Sequence, residues 1–434
     1  MKRVLIILSI ISTLTFSVDA GKIVFYIHGT FAETASKDHS DDDTHKLGIY
    51  KRVFTPTNGT LCWYDSRNKL HDIGTHCYNK YVKTQETNND VILVGHSMGG
   101  SVVRTMLDKS SNIKGIITAG TANYGSVFFN KLSSGDVWFF LQDMYNKGSN
   151  AITVSKVNIA NALLPGSSFA ASLTERVCKY NSDKDKTLNF LKTGFNHVAV
   201  PVFNYIYPCL NEMAQNSNFN NELNAKKISV PYINIYGAED AWEFVRLLST
   251  QAQLKDVNSI KNIDKTYDED GVKLLNGGLS VVNFIQDAHD VLYDVMSVVS
   301  IVVWKYKSTK ELVRQARYNW DGLYKYIQTD MHNEISKYNG SYQYESRTYR
   351  YTILGRTYTM TSYVPVVREN DGMNCDKTVM LPESMAGTGG VIYNVRATGV
   401  NHMEMGNHKK MREIFEQAFK TNTYGSVFKL QQTQ

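Results

Sequence analysis

Short apolar runs, spaced by polar and helical stretches, organise this chain. The first lies between Val4 and about Phe16, behind Met1-Lys2-Arg3 and ahead of Ser17-Val18-Asp19-Ala20. A basic start, a brief apolar centre and a small-residue exit have the form of a secretory signal peptide. That run is shorter than a membrane-spanning helix needs. Residues 1–20 are therefore expected to be removed, leaving Gly21 at the new terminus; an uncleaved anchor is the alternative. Further apolar runs at Lys22–Ile27, Leu61–Tyr64, Val91–Val94, Ile113–Thr118, Ile228–Tyr236 and about Gly390–Ala397 read as buried strands. Helical spacing follows in Gly100–Leu107 and closes the chain in His408–Phe419. Strands alternating with helices at this spacing predict an α/β fold with a mostly parallel, doubly wound sheet.

Two long stretches interrupt the alternation. From about Val127 to Lys227 the chain is rich in Phe, Tyr, Leu and Asn without clear strand signals. From about Ala241 to Ser341 it reads as largely helical, and a β-rich stretch follows at Tyr349–Val367. The most apolar part, Leu279–Trp304, is broken by Asp287, His289, Asp290 and Asp294, so a packed amphipathic helix is expected there rather than a membrane span. The organisation predicted is a leader at 1–20, a core segment at 21–126 and a cap or lid at 127–227. A core strand at 228–240 and a second helical insertion at 241–348 follow. The core then resumes at 349–434 with an acid loop, a histidine loop and the last helix. Long insertions after sheet strands tend to form caps over a site.

Hydrophobic residues make up 42% of the chain, ample for a large core. The net charge of +6 is mild for 434 residues, and no dense Lys/Arg block is present, which argues against nucleic-acid binding. Export would place the five cysteines in an oxidising compartment, where Cys62 with Cys77 and Cys178 with Cys209 are the economical pairs and Cys375 is left over. No C-x-x-C pair suggests zinc or redox chemistry. The loop Asp38–His45 reads as a solvated acidic loop.

The strongest chemical signal is Gly95-His96-Ser97-Met98-Gly99, set between the run Val91–Val94 and a helical segment. Strand, tight serine turn and helix together form a nucleophile elbow, which needs small neighbours so that backbone can approach the serine. A serine becomes nucleophilic when a base accepts its proton, and the base is held by a carboxylate. Of the 11 histidines, His402 ends the last predicted strand and is the expected base. The others compete from less suitable places. His28 belongs to the first loop, and His96 should point away from the site. His39, His45, His71 and His76 fall in loops, His197, His289 and His332 in the insertions, and His408 at the last helix. Two acids keep the Ser…Asp…His order: Asp371 in Glu369-Asn370-Asp371-Gly372, favoured, and Asp240 after the strand ending at Tyr236. Oxyanion donors are expected from the Met98 N–H and from the first loop, at Thr30 or, less favoured, Phe31. This chemistry requires no metal and no cofactor.

His28-Gly29-Thr30, Gly95-His96-Ser97-Met98-Gly99-Gly100, Gly120-Thr121-Ala122-Asn123-Tyr124-Gly125-Ser126 and Asn401-His402-Met403-Glu404-Met405 resemble the α/β-hydrolase superfamily, lipase-like branch. Asn370-Asp371-Gly372 followed by Asn401-His402 is similar to the acid and histidine loops of secreted bacterial triacylglycerol lipases. The stretch His402–Met405 is also similar to lecithin:cholesterol acyltransferase-like enzymes. Those lipases continue Asn-Asp-Gly with an aliphatic pair, whereas Met373-Asn374-Cys375 stands here. The resemblance implies a secreted or envelope-held carboxylic-ester hydrolase acting on lipid or acyl esters, with peripheral contact to a lipid surface compatible. It also implies that Glu404 stands near a structural calcium position in some relatives. Phe128, Phe129, Trp138, Phe139, Phe140, Trp242, Phe244, Trp304 and Trp320 give the insertions an aromatic content suited to an apolar substrate. An acyltransferase using the same residues, or a binding protein with a vestigial site, are the rival expectations.

Overall fold

The computed structural model describes residues 21–29, 59–134, 136, 142, 208–239, 330–406 and 408–430, with single positions between 311 and 325. Strands β1 (Gly21–Ile27), β2 (Gly59–Cys62), β3 (Asn89–His96), β4 (Ile113–Ala119), β5 (Tyr232–Ala238) and β8 (Ile392–Thr398) form one sheet in the order β2-β1-β3-β4-β5-β8. Every pairing in it is parallel. Parallel strands share one direction, so the segments leaving β3, β5 and β8 emerge along a single carboxyl edge. The second strand spans Gly59–Cys62 rather than Leu61–Tyr64, because its parallel register pairs Gly59 with Val24 and Cys62 with Ile27, where β1 ends.

Alternation along the strands builds two cores. Phe25, Ile27, Leu93, Ile116 and Tyr232 face helices α1 (Leu70–Cys77) and α2 (Met98–Met106), which contribute Leu70, Ile73, Val102, Val103 and Met106. Val24, Tyr26, Ile92, Val94, Ile117, Ile233 and Ile235 face the other way. They meet Met411, Ile414, Phe415, Ala418 and Phe419 of the closing helix, Lys409–Lys420. That three-and-four spacing puts one apolar stripe against the sheet, and His408 caps the helix by accepting from the Lys410 N–H at 3.1 Å. Helices on both faces make the expected doubly wound α/β architecture. Among the described residues no helix is long and apolar enough to cross a membrane.

Helices α3 (Val127–Ser134), α4 (Pro208–Met213), α5 (Asn218–Ala225) and α6 (Met331–Asn339) are the described parts of the two interruptions. The β-rich stretch is a hairpin, β6 (Tyr342–Ile353) with β7 (Arg356–Val367), and it stands outside the main sheet. It begins seven residues before Tyr349, inside the stretch assigned to the helical insertion up to 348, where Tyr342 pairs with Val367 and Tyr344 with Pro365 of the second strand. His71 and His76, read as loop residues, lie on α1.

Cys62, Cys77, Cys209 and Cys375 are buried free thiols, so the expected Cys62–Cys77 bridge is not formed. Burial pushes the Cys62 thiol pKa up, and the hydrogen-bonded Cys77 beside it adds to the rise. Cys209 donates its S–H to the Ser66 carbonyl at 2.8 Å and is likewise unbridged. Cys178, the partner proposed for it, lies outside the described residues.

A buried polar network stiffens the sheet behind the carboxyl edge. Asn234 on β5 accepts from Thr118 at 3.1 Å and from Asn123 at 3.0 Å, and donates to Asn394 on β8 at 2.8 Å. Arg104 of α2, 4% exposed, donates to the Asn123 carbonyl at 3.2 Å, the Leu223 carbonyl at 3.2 Å and Asn224 Oδ1 at 2.9 Å. Desolvation lowers its pKa from the ordinary guanidinium value. Arg104 thus ties the helix behind Ser97 to α5. Replacing Arg104 with methionine leaves those acceptors buried and unmet, and is expected to cost about 3 kcal/mol of stability. Urea unfolding checks this through the midpoint.

Candidate active site

Ser97 sits between β3 and α2 with φ 54° and ψ −122°, a backbone that an L-residue adopts only under strain of about 1–3 kcal/mol. Its N–H donates to the Ala119 carbonyl at 2.9 Å, and Thr121 Oγ1 donates to its carbonyl at 3.0 Å. Gly95 and Gly99 are required here: a Cβ on Gly95 would strike the Gly99 and Gly100 backbone, and one on Gly99 would strike the His28 and Ile27 carbonyls. The turn therefore presents the Ser97 hydroxyl above the sheet edge, at the N-terminus of α2. The Met98 N–H is in the first turn of that helix, where the helix dipole favours negative charge.

His402 opens a helical turn, His402–Gly406, just after β8. Its Nε2 lies 2.9 Å from Ser97 Oγ, and its Nδ1 lies 2.9 Å from Asp371 Oδ2. Asp371 is 1% exposed and His402 3%. Asp371 Oδ1 accepts from the Met373 N–H at 3.0 Å and the Asn374 N–H at 2.7 Å. The His402 N–H also donates to the Asp371 carbonyl at 2.7 Å. Both carboxylate oxygens are therefore held, and one is aimed at the imidazole.

The sheet edge makes room for this row of side chains with glycine. A Cβ on Gly120, after β4, would come within 3.0 Å of His402 Nδ1, and one on Gly237, in β5, within 2.8 Å of the Asp371 Cβ. The acid loop is docked at β5 by the Glu239 N–H, which donates to the Asn370 carbonyl at 2.7 Å. Asn339 of α6 donates to Asn370 Oδ1 at 2.9 Å. The histidine loop closes on itself: Glu404 Oε2 accepts from the Asn401 N–H at 3.1 Å while Asn401 Oδ1 accepts from the Glu404 N–H at 3.0 Å. Among the described residues no group of three or more His, Cys, Asp or Glu could hold a metal ion.

His96 does not point away from the site. Its Nε2 lies 3.1 Å from the His402 carbonyl and its ring centroid 5.2 Å from that of His402. Burial, then the neighbouring His402, lowers its pKa from 6.5 to about 3. The neutral ring donates Nε2–H to the carbonyl and fixes the histidine loop. No sequence signal marks this, because the two residues are 306 positions apart. A lowered histidine pKa contributes stability above pH 6.5 that is lost as pH falls towards 3. Replacing His96 with glutamine is expected to flatten that acid limb, measured as urea midpoints against pH.

The first loop passes beside Ser97: a Cβ on Gly29 would meet the Ser97 Cβ at 3.2 Å. His28 stacks on Tyr64 with ring centroids 3.9 Å apart, and the Tyr64 hydroxyl donates to the His28 carbonyl. Thr30, Phe31 and Asp240 lie outside the described residues. So do Trp138, Phe139, Phe140, Trp242, Phe244, Trp304 and Trp320. Phe129 is buried in the core with Phe128 packed edge-on against it at 5.9 Å, so these two serve packing.

Residues 65–163, which include Ser97, match the PGAP1-like alpha/beta domain family. Similar solved structures include phospholipase PlaB from Legionella pneumophila, at 16% identity and a TM-score of 0.25 over 50% of this chain and 39% of that one. The same phospholipase in complex with thio-NAD matches at 14% identity and a TM-score of 0.28, over 57% and 41%. A lipase-esterase related protein from Clostridium acetobutylicum matches at 12% identity and a TM-score of 0.24, over 50% and 75%. The matched region thus spans about two fifths of the Legionella phospholipase. No curated protein matches by sequence.

Proposed function

We propose that the chain is an α/β-hydrolase in which Ser97, His402 and Asp371 form a catalytic triad that cleaves carboxylic esters of lipid or acyl substrates. The observation that supports this most is the unbroken hydrogen-bonded row from Ser97 Oγ through His402 to a carboxylate held by two backbone N–H groups. In this reading His402 Nε2 takes the Ser97 proton as Oγ attacks the ester carbonyl. Asp371 keeps the other proton on Nδ1 and stabilises the imidazolium. The Met98 N–H and a donor from the first loop, Thr30, receive the oxyanion. Collapse expels the alcohol, which takes its proton from His402 and leaves an acyl group on Ser97. His402 then activates water to release the acid.

Hydrolysis of p-nitrophenyl butyrate and p-nitrophenyl palmitate tests the substrate class. Turnover of either supports an ester hydrolase, and faster turnover of palmitate supports a long acyl chain. No turnover of either ester, with no uptake of a fluorophosphonate, would overturn the reading.

A further inference from the structure

Most of the exposed large apolar side chains among the described residues lie on the β6–β7 hairpin, and the proposed chemistry makes no use of it. Cross-strand register places Tyr349 opposite Met360, Tyr351 opposite Tyr358 and Ile353 opposite Arg356 on one face. The other face of the same distal half pairs Thr348 with Thr361, Arg350 with Thr359 and Thr352 with Thr357. The distal half is therefore amphipathic, with aromatic and aliphatic side chains and Arg356 on one side, and threonines and Arg350 on the other. All five apolar residues of the first face are exposed, and the tip residue Leu354 is 98% exposed. Leu354 and Gly355 have φ of 48° and 76°, a two-residue turn whose first position ordinarily goes to Asn, Asp or Gly. A leucine held there, fully in solvent, is unfavourable for the isolated protein on both counts.

The charges on this arm have one sign. Between Ser346 and Ser362 the charged residues are Arg347, Arg350 and Arg356. The acidic residue nearer the base, Glu345, lies 3.6 Å from Arg368. The base itself is fixed to the rim of the candidate site. The Arg368 N–H donates to the Ser341 carbonyl at 2.9 Å, and the Arg368 guanidinium holds both oxygens of Asp376 at 2.8 Å. Asp371 is three residues beyond Arg368.

We propose that the distal β6–β7 hairpin docks the protein on an anionic lipid surface, with Leu354 and the Tyr349–Tyr351–Tyr358–Met360 face entering the headgroup boundary. Tyrosines suit that boundary because the ring is apolar and the hydroxyl stays wet. Arg347 and Arg356 on the same face, with Arg350 behind them on the other, attract anionic headgroups. A second copy of the chain fits this face poorly, since it would bring Arg347 and Arg356 of one copy against the same pair of the other. The arm extends about 20 Å from Thr348 to the tip, long enough to meet a surface ahead of the body. Docking this way would hold the carboxyl edge of the sheet close to the lipid. The proposal concerns the arm alone and stands whether or not Ser97 is a nucleophile.

A polarity-sensitive fluorophore tests it without turnover. It is attached to Leu354→Cys, and separately to Thr359→Cys on the threonine face, in the full chain carrying Cys178→Ser. The described native thiols are buried. With vesicles of equal parts phosphatidylcholine and phosphatidylserine, the probe at 354 is expected to shift to the blue and brighten, while the probe at 359 changes little. The triple substitution Arg347→Gln, Arg350→Gln and Arg356→Gln is expected to raise the vesicle concentration needed by about tenfold or more. Unchanged emission at 354 in vesicle excess would overturn the proposal. So would an equal response from both faces, or a solution dimer that Leu354→Asp dissociates.

Discussion

Replacing Ser97 with alanine is expected to lower kcat for ester hydrolysis by about five to six orders of magnitude, with little change in stability. The substitution removes one oxygen and keeps the backbone at φ 54°. It leaves the Ser97 N–H bond to Ala119 and the Thr121 bond to the residue 97 carbonyl intact. What disappears is the atom that His402 Nε2 faces at 2.9 Å, and with it the covalent route. The loss should appear in kcat rather than KM, because the hydroxyl acts in bond making and contributes little to binding. Steady-state kinetics beside a urea titration measure both. A variant that keeps a tenth of the activity would mean that another nucleophile carries the reaction.

Replacing Asp371 with asparagine should reduce kcat by about four orders of magnitude. The carboxylate meets three donors: two backbone N–H groups on Oδ1 and His402 Nδ1 on Oδ2. An asparagine can keep its oxygen on the backbone pair, but its NH₂ then faces Nδ1. The imidazole answers by moving its proton to Nε2, where it points at Ser97 and cannot accept. The fold is expected to persist, since the loop stays docked through Asn370 on Glu239 and Asn339. Asp240→Asn is the discriminating control: activity within a few-fold of wild type fits Asp371 as the acid, and a collapse there with Asp371→Asn spared would reassign it.

The parts of this molecule that were legible in sequence are those encoded locally. Val91–Val94 reads as a strand because four apolar residues fill both faces of a central position, and Gly95–Gly99 reads as a turn because the chain must cross itself there. His402 follows from its place after the last strand. Spacing and the likeness of the acid and histidine loops favour Asp371 over Asp240; Asp371 Oδ2 lies 2.9 Å from His402 Nδ1, while Asp240 lies outside the described residues. What escaped depends on partners far apart in the chain. His96 looks like one more residue of the elbow until β8 delivers the His402 carbonyl to it. Arg104 looks like a solvated helix position until α5 supplies carbonyl and amide oxygens across 119 and 120 positions. Compartment and spacing point to a Cys62–Cys77 bridge, and neither reports that two buried thiols can lie side by side unbonded. The hairpin is legible from Tyr349 onward, while the first seven residues of its near strand fall where the sequence still reads as the end of the helical insertion.

Peptide mapping after reaction with a fluorophosphonate tests the central claim most directly. The account predicts a single phosphonyl adduct on the peptide containing Ser97, formed by the wild type and by Asp240→Asn, slowed by orders of magnitude in Asp371→Asn and absent in Ser97→Ala. An adduct on a different residue, or equal labelling of wild type and Ser97→Ala, would contradict it.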